Sequence, residues 1–461
     1  MNVLLFTADD MNADTPGCYG GPAAATPAID GLAAQGVRFR RAHVTVAICQ
    51  PSRSVMLTGR YPHRNGAEGF GPIRDDVPVL TDLLHAAGFR CGILGKVRHL
   101  EPVARFGWDL LVDQPQLGQG RDPRRYAAEA ARFFADSRRA GRPWFLMCNA
   151  HDPHRPFAGS DDERLHFRAD LASIPDPSYT FAAGEWAPPG FLPDLPDVRT
   201  EIAQYLSSSR RADDVVGAVL DELSRAGAAD DTLVLFLSDN GMSFPFAKSN
   251  CYLHSTRTPL IVRWPGRAPA GAVDDEHYVG GVDLLPTICE AVGITAPAGL
   301  DGRSFLPLLR GARDPSRDHV VTVFHETVHG RRYEMRALQD RGGGYIWNAW
   351  SDGEQAYLAD NMTGLTWRAM TAAGGHDPGL AARCAFYLHR EPEELYDFET
   401  DPDALHNRVA DPAAAGELDA KRSRLRAWMR GTGDPLAEAY AAHLARAGAP
   451  RPAREDEGVR G

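Results

Sequence analysis

The chain opens with an apolar run that ends abruptly in two acids: Asn2-Val3-Leu4-Leu5-Phe6-Thr7-Ala8, then Asp9-Asp10. The pattern returns far downstream as Thr232–Ser238 followed by Asp239-Asn240-Gly241. Short continuous apolar runs suit strands buried on both faces, the condition of a parallel sheet covered by helices. Val37–Ala42, Arg90–Leu94, Pro143–Ala150 and Leu260–Arg263 are further runs of this kind. They alternate with amphipathic stretches at Pro27–Gln35, Pro78–Ala87, Tyr126–Arg139, Glu201–Ala226 and Leu284–Val292. The alternation predicts an α/β fold built on a doubly wound, mostly parallel sheet. In such sheets functional groups gather just beyond the carboxyl ends of the strands, so the two acidic pairs can meet.

From Gly330 the texture changes. Arg336–Gln339, Gly344–Asn348 and Glu394–Phe398 read as short antiparallel strands, and Ala413–Arg430 as a helix. At 461 residues the chain exceeds the size at which one core usually stops growing. Two domains are therefore expected, residues 1–315 and a smaller α+β domain at 316–448. Residues 449–461, rich in Pro, Arg and Glu, read as a disordered tail.

Composition narrows the partners. A net charge of −11 argues against nucleic acid or an anionic membrane surface, and mildly against a long polyanion. It leaves room for a compact anion drawn into a locally positive pocket. No apolar run is long enough to span a bilayer. With Met1 as the start there is no basic n-region and no small-residue cleavage site, so the expected location is cytoplasmic. Seven cysteines without close pairing fit free thiols in a reducing compartment. Asn361-Met362-Thr363 matches the N-glycosylation pattern, as one site in a chain this long does by chance.

Asp9, Asp10 and Asp239 with the amide oxygen of Asn240 make a hard, oxygen-only donor set. It suits Ca²⁺ first and Mg²⁺ second, and not Zn²⁺. Taken singly, each pair reads as an ordinary turn after a strand.

The most specific signal is Cys49-Gln50-Pro51-Ser52-Arg53, continued by Leu57-Thr58-Gly59-Arg60. Locally it reads as the start of a helix with Pro51 in the first turn. Arg53, four residues after Cys49, then shares its face. The pattern resembles the signature of type I sulfatases. That resemblance implies an alkaline-phosphatase-like fold, one divalent cation held by Asp9, Asp10, Asp239 and Asn240 beside residue 49, and a transient encounter with a formylglycine-generating enzyme. In the family the cysteine becomes formylglycine, whose hydrate carries two hydroxyls on one carbon. One attacks sulfur; the other collapses to the carbonyl and expels sulfate, which a thiol or serine cannot do.

Further positions carry over from the same resemblance. Arg53 steadies the nucleophile and the metal cluster. Lys96 matches the lysine of a G-K-x-H turn. This chain reads Gly95-Lys96-Val97-Arg98-His99, one residue longer, so either His99 or Arg98 fills the histidine's place. His151-Asp152-Pro153-His154-Arg155-Pro156 resembles the H-x-P-H-x-P turn, in which His154 touches sulfate and can protonate the leaving group, with His151 in a structural part. Lys248, eight residues after Asn240, matches a sulfate-contacting basic residue. Thr26–Ala33, Asp301–Leu309 and Glu394–Pro402 are shared widely in the family.

Ser238–Pro245, the His-Asp-Pro-His-Arg turn and Tyr333-Glu334-Met335-Arg336 look most like the heparan sulfamidase branch, which removes an N-sulfate from a terminal glucosamine. Glu334 stands where that branch has proline, and Lys248 where it has arginine. His325, Glu326, His329 and Arg336 are candidates for recognising a charged sugar. The alternative is hydrolysis of an aryl or alkyl sulfate, or of a phosphate or phosphonate monoester, within the same superfamily. Assembly into a homo-oligomer is left open.

Overall fold

The computed structural model describes residues 1–447. The tail expected over residues 449–461 lies outside them. In chain order the strands are β1 Asn2–Ala8, β2 Val37–Phe39, β3 Ala42–His43, β4 Arg90–Leu94, β5 Leu110–Val112, β6 Trp144–Asn149 and β7 Thr232–Ser238. They continue with β8 Leu260–Arg263, β9 Ala272–Asp274, β10 Val279–Gly280, β11 His319–Glu326, β12 Arg332–Asp340, β13 Gly343–Asn348 and β14 Glu393–Tyr396.

Eight strands form the main sheet in the order β5-β4-β6-β1-β7-β8-β2-β9. All run parallel except β8, which opposes both its neighbours. The mostly parallel α/β reading is therefore correct. Each face has its own core. Leu4 and Phe6 of β1 join Leu146, Cys148, Val234 and Phe236 beneath helices Pro27–Ala34, Pro123–Arg139 and Pro196–Arg225. Val3 and Leu5, one residue out of step, join Phe145, Met147, Leu233 and Leu235 beneath Leu80–Ala86 and Leu284–Val292. The continuous apolar runs of the sequence reflect this two-sided burial.

A second sheet, β11-β12-β13-β14, is wholly antiparallel. One face, with Val321, Leu338, Tyr345 and Leu395, is covered by Leu418, Leu425 and Met429 of the helix Ala415–Thr432 and by Tyr440. The opposite face, with Phe324, Met335, Ala337 and Ile346, packs on Val46, Phe244, Phe246 and Tyr252 of the first body. The two bodies thus share a core.

Some elements differ from expectation. The run Val37–Ala42 divides: β2 stays in the main sheet, whereas β3 pairs with β10 in a ladder of its own. β12 extends from Arg332 to Asp340, longer than Arg336–Gln339. β11 and the helices Leu365–Gly374 and Pro378–Leu388 have no counterpart in the sequence reading.

Candidate active site

β4, β6, β1 and β7 lie side by side and end on one rim. Ala8 stands opposite Ser238, so Asp9-Asp10 and Asp239-Asn240 leave the sheet together. The Asp10 backbone N–H donates to Asp239 Oδ1 at 3.2 Å, and the Asn240 amide nitrogen donates to Asp10 Oδ1 at 2.7 Å. Asp10 holds φ 68°, a left-handed conformation that Asp tolerates better than most residues. All four side chains are buried.

Three cations close on these acids. Arg53 donates to Asp239 Oδ2 at 2.6 Å and lies 3.6 Å from Asp9; Thr7 Oγ1 and Asn149 Oδ1 accept its other bonds at 2.6 Å each. Lys96 pairs with Asp9. Lys248 Nζ donates to Asp10 Oδ2 at 2.9 Å. The three carboxylates and three cations balance.

Asp9 Oδ1 and Asn240 Oδ1 are buried without a hydrogen-bond partner, a costly state for such oxygens. Asp9, Asp10 and Asp239 each bring an oxygen within 4.8 Å of the others. This oxygen-only set fits a hard divalent cation, with Asn240 turning its amide nitrogen to Asp10 and leaving its oxygen free.

The electrostatics agree with that fit. Burial would raise the Asp9 carboxyl, but Lys96, His154 and Arg53 hold it well below the usual range. Burial, with Asp9 and Asp239 adding to it, pushes Asp10 up to about 7 against the pull of Lys248. Asp239 is raised by burial and then by Asp9. A cation among them would reverse both shifts.

Cys49 begins the helix Cys49–Thr58, every residue of which is buried. Gly59 ends it at φ 63°, its N–H on the Val55 carbonyl, which accounts for glycine in the Leu-Thr-Gly-Arg segment. Cys49, Asp9 and His154 form a second group whose ligating atoms lie within 4.8 Å of one another. Burial pushes the Cys49 thiol far up, so the unmodified side chain is no thiolate.

His154 Nδ1 lies 2.6 Å from the Arg155 carbonyl, which can only accept; Nδ1 therefore carries hydrogen and Nε2 is left for other partners. Burial and Lys96 depress His99, His151 and His154 alike, so each is neutral before an anion arrives. Gln114 donates to His151 Nδ1 at 2.6 Å. Lys96 takes φ 54°, and the tight turn Val97–His99 follows. This brings His99 under the field of Asp9, Arg53 and Lys248, while Arg98 is 86% exposed and 3.9 Å from Asp113. Of the two, His99 is the one near the acids, while Arg98 faces solvent.

The four candidates from the second domain do not join the acids. Arg336 is buried, donating to Asp434 at 2.6 and 3.2 Å and to Glu334 at 3.2 Å. His325 is buried with Nδ1 2.8 Å from Glu334. His325 thus ties β11 to β12, Arg336 ties β12 to Asp434, and neither pairs with the strand-end acids. His329 is exposed. Glu326 reaches Gly69, whose position has no room for a Cβ beside the Glu326 carboxylate.

Sequence reasoning missed Thr7 and Asn149, the partners of Arg53; their only signal is a polar residue near the end of an apolar strand. It also missed the buried pairing of Asp152, inside the histidine turn, with Arg121 and Arg211. The glycosylation pattern is closed off. Asn361 is buried, donating to the Lys248 carbonyl and accepting from Tyr387.

The sulfatase family model matches residues 1–294. Human N-sulphoglucosamine sulphohydrolase is 32% identical, over 94% of this chain and 91% of its own length. An ulvan-active sulfatase of Formosa agariphila is 27% identical, over 95% and 81%. A solved structure described as complexed with its substrate D-glucosamine-2-N,6-O-disulfate superposes with TM-score 0.70 at 18% identity, over 94% and 98%. The phosphonate monoester hydrolase of Silicibacter pomeroyi superposes with TM-score 0.66 at 22% identity, over 94% and 96%. Strand-end acids, a buried Cys49 and a matching family model over most of the chain converge: the protein belongs to the sulfatase family, hydrolases of sulfate esters and sulfamates.

Proposed function

We propose that the chain is a sulfamidase, releasing the N-sulfate of a terminal glucosamine with residue 49 in its formylglycine form. The observation that carries the substrate is the 32% identity to the human sulphohydrolase across nearly the whole of both chains. Asp9, Asp10, Asp239 and Asn240 would hold Ca²⁺, with Mg²⁺ as the second choice, and a cation bound there would supply Lewis-acid polarisation of a sulfate oxygen.

The chain's own residues supply the rest. Lys96 and Lys248, both buried, bind the sulfo group from two sides, and Arg53 fixes Asp239 and the start of the Cys49 helix. Their charge is pre-placed in a site poor in water, where it acts most strongly on charge that develops in the transition state. A nitrogen leaving group must be protonated. His154 gives that proton from Nε2 once the bound anion has raised its affinity for one.

A second reading, hydrolysis of a phosphate or phosphonate monoester, is favoured by the fold shared with phosphonate monoester hydrolases. The deciding experiment first verifies conversion of Cys49 by peptide mass. Rates are then compared on N-sulfoglucosamine, nitrophenyl sulfate and nitrophenyl phosphate. Sulfate release from N-sulfoglucosamine is expected; its absence, with phosphate the better substrate, would put the second reading first.

A further inference from the structure

None of the residues gathered at the acids so far belongs to the second domain, yet one segment of that domain reaches them. Tyr357–Asn361, in the connection between β13 and β14, lies against the Lys248 loop. Asn361 donates to the Lys248 carbonyl at 2.7 Å, and the Tyr357 hydroxyl donates to the Ser249 carbonyl at 2.6 Å. Tyr387 donates to Asn361 Oδ1 at 3.1 Å and is buried with them. The loop they grip holds two non-glycine residues in the left-handed region, Phe246 at φ 65° and Ser249 at φ 66°. Such a backbone persists only where its surroundings impose it.

Asp360 sits between these anchors, so its position is fixed by them. Its Oδ2 lies 3.7 Å from Lys248 Nζ, and Ser249 Oγ lies 3.4 Å from its Oδ1. Its side chain is 27% exposed, against 1% for Lys248. Asp9, Asp10 and Asp239 are all buried. Asp360 is thus the partly exposed carboxylate beside Lys248, and its hydrogen-bonding capacity is largely unused.

We propose that Asp360 is a specificity-determining residue: it favours substrates that carry a hydroxyl or amine donor beside the sulfated atom, as a sulfated sugar does and an aryl sulfate does not. The proposal rests on the sulfatase reading of this same site. A bare anion drawn to Lys248 meets Asp360 too and is repelled by it. A sugar hydroxyl or amine next to the sulfo group donates to that carboxylate and turns the repulsion into a charge-assisted bond. A site built to accept from a donor rejects an analogue without one far more strongly than a pocket selecting by size alone. If Asp360 served only to hold Lys248, its loss would lower every substrate alike.

The test uses the full chain with Cys49 conversion verified, and compares kcat/KM on N-sulfoglucosamine with kcat/KM on nitrophenyl sulfate. Asp360→Asn is expected to lower the sugar-to-aryl ratio tenfold or more, with Asp360→Ser as the second charge-removing variant. Tyr357→Phe, which loosens the loop without changing charge, is expected to lower both rates and keep the ratio. An unchanged ratio in both Asp360 variants overturns the proposal. If the wild type releases sulfate from glucosamine 6-sulfate and not from N-sulfoglucosamine, the sulfamidase reading fails while the ratio, measured on that sugar, still decides Asp360. Hydrolysis of nitrophenyl sulfate and of neither sugar overturns both.

Discussion

At Cys49 burial dominates: the thiol is pushed far above its usual value, with Lys248 opposing the rise and Asp9, Asp239 and Asp10 adding to it. On the proposed reading, reactivity at this position comes from the formylglycine form of the side chain. Cys49→Ala is expected to abolish sulfate release with the melting temperature kept within a degree or two; substantial residual turnover would sink the assignment. At His154 the leaving group decides the outcome. An aryl oxygen departs without help, whereas a sulfamate nitrogen needs a proton. His154→Ala should then cost N-sulfoglucosamine hydrolysis roughly 10²–10⁴-fold, and nitrophenyl sulfate hydrolysis much less. Equal losses on the two substrates would exclude the acid role. The residues legible in the sequence share one property. Asp9 and Asp239 follow directly on β1 and β7, and Lys96 and His154 lie in the turns that leave β4 and β6, so chain position places all four on the rim. Thr7, Asn149 and Asp360 carry no such mark. They reach Arg53 and Lys248 through tertiary packing, which a local reading of the chain does not show.

Among the elements, β1, β4, β6, β7 and β8 were legible because burial on both faces makes them continuously apolar, whereas the half-exposed edge strands β5 and β9 were missed. β11 and β12 were harder. Each alternates one face toward the first body with one toward its own helix, and β12 carries Glu334 and Arg336 within its span. The helices Leu365–Gly374 and Pro378–Leu388 are short and bury few residues, so their apolar period is weak. The charged residues of β12 have a measurable consequence. Burial would raise Glu334, but His325, Arg336 and Arg332 hold it at about 2, against an ordinary 4.5. A carboxyl depressed in the folded state stabilises the fold above its unfolded value and loses that contribution as pH falls through the folded one. The window is pH 4.5 down to about 2, and the loss is on the order of 3 kcal/mol. In urea titrations Glu334→Gln should be less stable than the wild type at pH 6 and should fall less steeply through this window. A variant with the same pH slope as the wild type would refute the coupling.

Across the whole molecule, the long helix Pro196–Arg225 ties three regions through one side chain. Glu201 accepts from Arg155 at 2.5 Å, beside the histidine turn, and from the backbone N–H groups of Leu365 and Thr366 at 2.9 and 2.8 Å. It thereby caps a helix of the second domain while holding the active-site loop of the first. Glu201→Ala should cost about 3 kcal/mol by denaturant titration, the scale for breaking a buried charge pair. It should also lower activity, because Arg155 adjoins His154. A stable variant with reduced activity would place Glu201 in the site alone.

The complete burial of Cys49–Thr58 also bears on when the protein can be made competent. The helix is sealed by elements that the chain supplies much later, among them the Leu284–Val292 helix and the Lys248 loop. For the modification proposed at Cys49, a modifying enzyme can read the signature only while those elements are still missing or unfolded. On that reading competence is settled before folding is complete: a molecule that folds with its thiol intact stays inactive however long it later shares a compartment with the enzyme.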